Sequence, residues 1–93
     1  MIIYNVTFSV DQPIAEEWLA WMKNSHIPDV LAKGFFVDCK ILKVLSHEDD
    51  DTFSFAVQYY SRSLKDVEAY VNTEGESPFG DRVVGYPTLL EDV

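Results

Sequence analysis

Apolar and polar residues alternate from the start of the chain. In "MIIYNVTFSV", Ile2, Tyr4, Val6, Phe8 and Val10 share one side of an extended strand, and Ile3, Asn5, Thr7 and Ser9 share the other. The period then lengthens. Ile14, Trp18 and Met22 are four apart, with Leu19 and Trp21 beside them, which predicts a helix with a core-facing stripe. Pro13 suits its first turn, and Glu16 and Glu17 suit the positive end of its dipole. Pro28 disfavours helical geometry at Ile27, so this helix is expected to end near Asn24. A short second turn then runs over 28–33, closed by Gly34 in the left-handed conformation.

A second strand is expected over 35–45, with Phe35, Val37, Cys39, Ile41 and Leu45 on one face and Phe36, Leu42 and Val44 on the other. "SHEDDDT" reads as a polar hairpin connection to a third strand over 52–60, where Phe53, Phe55, Val57 and Tyr59 alternate with Ser54, Ala56, Gln58 and Tyr60. Ser63 and Asp66 mark the start of a second helix, with Leu64, Val67 and Val71 as its buried stripe. After the loop "NTEGESPFGD", a fourth strand covers 82–90. Pro87 within it requires an edge position, because proline cannot donate to a ladder.

Strand-helix-strand repeated twice is the α+β, ferredoxin-like βαββαβ pattern. Right-handed crossovers predict a four-stranded antiparallel sheet with strands one and three central and both helices on one face. The 93 residues suit one domain. The helix-free face would then expose Ile3, Phe36, Leu42, Val44 and either Val83 or Val84 among polar groups. Such an apolar face is uncommon on a monomer, and a second copy packed sheet to sheet is the expected cover.

Charge narrows the partners. Sixteen acidic against seven basic residues give a net charge of −9, without the clustered cations that nucleic-acid binding needs. That surface also repels anionic membrane, and no apolar run approaches the ~20 residues needed to span a bilayer. The opening alternation lacks the continuous apolar core and basic flank of a secretion signal. With Cys39 as its single cysteine, the chain cannot form an internal disulfide, and a cytoplasmic location is the simplest expectation.

The segments "MIIYNVTFSVD", "EEWLAWMKNSHIPDVLAKGFF", "FAVQY" and "FGDRVVGYPTLLE" together resemble an uncharacterised family of short bacterial proteins, the domain-of-unknown-function family 4286. The resemblance covers nearly the whole chain. It implies a dimeric α/β-barrel type of assembly and supplies no activity. Between Tyr70 and Phe79 this chain is several residues shorter than the members it resembles, which implies an earlier end to the second helix. More remotely, the Trp…His…Pro segment resembles cofactor-free monooxygenases, isomerases and related dimeric α/β-barrel enzymes.

Candidate chemistry starts with His26, whose ordinary pKa of about 6.5 suits proton transfer near neutrality. Its plainer role is to cap carbonyls at the end of the first helix. Trp18 and Trp21, three apart, cannot both face the core; one of them lines a pocket or a subunit seam, or, as is more usual, is plain core. Tyr4, Asn5, Gln58 and Tyr59, on adjacent central strands, offer donors to a carbonyl-bearing ligand or form ordinary cross-strand pairs. Asp38, Lys40 and Arg82 suggest a charged rim or an inter-subunit ion pair, the rim being the plainer reading. His47 with the acids of 48–51 lacks the spacing of a calcium loop and reads as a solvated hairpin tip. Cys39 reads as a buried small hydrophobe. No phosphate loop, nucleophile elbow or zinc spacing is present, and no residue pattern requires a cofactor or a metal.

The expected function is therefore small-molecule or partner binding by a small homodimer. The alternative is a cofactor-independent monooxygenase or isomerase acting on an aromatic or quinone-like substrate. In that case His26 is the acid/base and Asn5, Tyr4 or a tryptophan orients the substrate. A third reading is a purely structural module. A closed, partly apolar cavity of ~300 Å³ or more beside His26 would support ligand binding, and a solid core there would favour the third reading.

Overall fold

The alternation at the start of the chain becomes β1, Ile2–Asp11, in a computed structural model that describes residues 1–46, 49, 51–75 and 77–93. It is followed by a 3-10 turn, Gln12–Ile14, and then by α1, Ala15–Trp21. A π-helical turn over Met22–His26 leads directly into α2, Ile27–Ala32. The remaining elements are β2, Asp38–Lys43, β3, Thr52–Ser61, α3, Leu64–Val71, and β4, Val83–Glu91. The expected hairpin tip at His47, Glu48 and Asp50 lies outside the described residues.

The four strands form one antiparallel sheet in the order β2-β3-β1-β4. β1 is central. It pairs with β3 from Ile2↔Ser61 to Asp11↔Thr52, and with β4 from Ile2↔Glu91 to Val10↔Val83. Pro87 thus lies on an edge strand, where its missing donor costs no ladder bond. The two-residue period sends Tyr4, Val6, Val10, Phe55, Val57 and Tyr59 into the core, where Trp18, Met22, Val30, Val67 and Tyr70 of the helices meet them. Ser63 caps α3 as its sequence position suggested, its hydroxyl accepting from the Asp66 amide at 3.2 Å.

Four local expectations are corrected. The first helix does not stop near Asn24: backbone angles stay helical through His26 and Ile27. The strain of Pro28 is absorbed by widening the preceding turn, in which the Ile27 amide donates to the Met22 carbonyl five residues back. The second strand is shorter than 35–45, and Phe36, ahead of its start, does not follow the strand parity. It turns inward after Gly34 (φ +86°) and is buried against Tyr59 and Tyr70, each at 5.0 Å between ring centroids. On α3, Val67 and Tyr70 are the buried pair, while Leu64 and Val71 are exposed beside β4. Arg82 reaches Asp11 of its own chain at 3.4 Å, so it forms no rim with Asp38 and Lys40.

The helix-free face carries Asn5 and Thr7 at its centre, and register places Val84 on that face, since Val84 pairs with Ser9 while Val83 pairs with Val10. Leu42, Val84, Tyr86 and Leu90 are exposed there on the two edge strands.

Candidate functional site

The π turn decides what surrounds His26. Residues five apart in a regular helix point about 140° away from each other. In the widened turn Trp21 and His26 are brought face to face, with ring centroids 4.6 Å apart and planes 18° from parallel. Phe79, from the loop before β4, meets the Trp21 ring at 5.6 Å in a T-shaped contact. His26 is therefore an interior helical residue held by aromatic packing, not a helix-end cap.

Beside this stack lies a cavity of about 190 Å³. Trp18, Trp21, Met22 and His26 form its helical wall. Phe8, Val83 and Gly85 form its sheet wall, and Glu74, Gly75 and Ser77 close it from the loop after α3. Gly85 is required by close approach. It pairs with Phe8 in the ladder, and a β-carbon there would sit 2.9 Å from the Phe8 ring. His26, Glu74 and Gly75 are shared with a more open groove of about 470 Å³ that also includes Asp29, Lys33 and Tyr70. His26 and Glu74 thus stand on the boundary between an inner chamber and an outer one.

Burial lowers the proton affinity of His26 below its ordinary 6.5. Asp29 opposes this, and Lys33 adds to it. At neutral pH the imidazole is uncharged. Partial burial pushes the pKa of the Glu74 carboxyl up, and the Tyr4 and Tyr70 hydroxyls oppose this by favouring the anion. Burial is also the largest cause of the raised values of Tyr4, Tyr59 and Tyr70. Cys39, half-buried on the core side of β2, is pushed up to about 12 by burial and the nearby Asp38, so it is a protonated thiol and not a nucleophile.

Of the residues singled out by sequence, the structure brings His26, Trp18 and Trp21 together at one cavity. Trp18 is buried and Trp21 partly so, as their spacing required. Tyr4, Asn5, Gln58 and Tyr59 do not converge. Tyr4 and Tyr59 point into the core, whereas Asn5 and Gln58, paired across β1 and β3, lie on the opposite face. There Asn5 donates to Thr7 and Tyr60 donates to Gln58, each at 3.2 Å. Two chemically relevant residues escape the periodicity reading, Glu74 and Gly85. Glu74 lies in the loop after α3, where periodicity gives no signal for it.

No helix among the described residues is long and apolar enough to cross a membrane. Among the same residues, no group of three or more His, Cys, Asp or Glu is placed to hold a metal ion. A comparison with curated proteins returns no match. The family model described as "Domain of unknown function (DUF4286)" matches residues 1–93, and the chain belongs to that family.

Proposed function

We propose that this protein is a small-molecule-binding homodimer, each subunit holding a ligand about the size of a single ring in the cavity beside His26. The carrying observation is the cavity itself. Its volume of about 190 Å³ is far below the range of ~300–1,000 Å³ usual for drug-sized ligands. It is comparable to the ~150 Å³ apolar cavity that accepts benzene in another protein. That volume suits a single ring better than a fused polycyclic or long-chain quinone.

The strand order, taken from the other edge, is β4-β1-β3-β2, and this supports a ferredoxin-like βαββαβ fold. The open face supports pairing of two such sheets into a dimeric α/β barrel. Its apolar groups, Leu42, Val84, Tyr86 and Leu90, stand on the edge strands. The central Asn5 and Gln58 side chains already have partners in Thr7 and Tyr60, so covering them leaves fewer unsatisfied groups.

One observation keeps a catalytic reading alongside binding. His26 at the cavity wall is the neutral imidazole, the form that accepts a proton. In a cofactor-independent oxygenase or isomerase it would be the base and Trp21 the orienting surface. Asn5 and Gln58 are on the wrong face to reach the same chamber.

The test is titration with benzyl alcohol, read by the indole N–H resonances of Trp18 and Trp21. The binding reading expects both resonances to move and saturate together, and His26→Ala to retain that response. Indoles unmoved at millimolar probe would refute it. Where a substrate is turned over, loss of turnover in His26→Ala with binding retained selects the catalytic reading.

A further inference from the structure

The binding reading leaves the ligand's chemical class open, and the charges around the chamber narrow it. Among the described residues lining the inner cavity, Glu74 is the only one with a formal charge at neutral pH. No lysine or arginine lines it. Lys33 belongs to the outer groove, where Asp29 offsets it. The walls are aromatic: Trp18 sits 5.2 Å from Phe8, and Trp21 stacks on His26. Aromatic rings around a carboxylate attract ammonium groups through the negative faces of the rings and the direct charge. They offer nothing to an anion, which would have to lose its hydration beside a like charge. The nearby Tyr4 and Tyr70 hydroxyls favour the anionic form of this carboxyl. The chain's net charge of −9 favours the approach of cations over anions.

We infer that the cavity beside His26 selects a small organic cation, an ammonium carried on one ring or a short alkyl frame. Trp18, Trp21 and Phe8 form its aromatic walls, and Glu74 is its counter-charge. The inference rests on the ligand-binding reading and specifies it. Glu74 is then a binding residue.

A matched series tests it: benzylammonium, benzyl alcohol and benzoate, near-equal in size and different in charge. Each is titrated at pH 7.5 with tryptophan resonances as the readout. Benzylammonium is expected to bind about tenfold tighter than benzyl alcohol, and benzoate weaker than both. Glu74→Gln keeps the side-chain size and removes the charge. It is expected to bring the cation to within about twofold of the alcohol. Glu68→Gln removes the same charge at a groove between α3 and β4 and is expected to preserve the preference. Equal or tighter binding of alcohol or benzoate overturns the inference, as does an unaltered preference in Glu74→Gln. Binding of the alcohol without cation preference refutes this inference alone, whereas failure of all three probes refutes the binding reading as well.

Discussion

At the residue scale, His26 and Glu74 face the same chambers and respond to burial in opposite directions. Burial holds the folded pKa of His26 below its ordinary 6.5, so over that window the unfolded chain binds more protons. Stability therefore rises with pH through the window and is lost on acidification. Glu74, with its folded value above 4.5, has the reverse slope in a window that begins at lower pH, because there the folded chain holds the extra proton. Asp29 and Lys33 on α2 are the other charged groups acting on the imidazole. The expected outcome is a smaller drop in urea midpoint between pH 7.5 and 6 for His26→Gln than for the parent. An equal or larger drop would show that the imidazole is not held neutral. His26 was legible in sequence as a titratable residue at an irregular helical segment. Its surroundings were not, because the side on which a residue points depends on the width of the turn it occupies.

At the element scale, the helix from Ala15 to Ala32 and the ladder between β1 and β4 together make the chamber. Strand identities and the edge position of β4 followed from two-residue alternation and one proline. The π turn did not, since the pattern marks Pro28 as a disturbance without saying whether the helix ends or widens. The inward turn of Phe36 was equally hidden, because alternation is informative only inside a strand. Gly85 shows how an element limits the site. Gly85→Ala drives a methyl against Phe8, whose easiest escape is into the cavity. The expected results are a stability loss of about 1–3 kcal/mol by thermal melting and a several-fold weaker response to benzyl alcohol. Unchanged binding would place the ligand elsewhere.

At the scale of the whole molecule, one sheet face is covered by helices and the other carries apolar residues at both edges. A domain of this size buries only about 60–65% of the surface its unfolded chain exposes, so a second copy adds burial that one chain cannot supply alone. Patterning expected Phe36 on the open face, but Phe36 belongs to the core, and Tyr86 is the larger exposed apolar group in its place. Chamber and open face lie on opposite sides of the same sheet, so the proposed dimer would leave the route to His26 clear. Native mass spectrometry of freshly purified protein tests the account most directly. A particle of twice the 10.7 kDa chain mass, carrying additional mass from small retained molecules, is the predicted result. A bare 10.7 kDa chain across the working concentration range would contradict it.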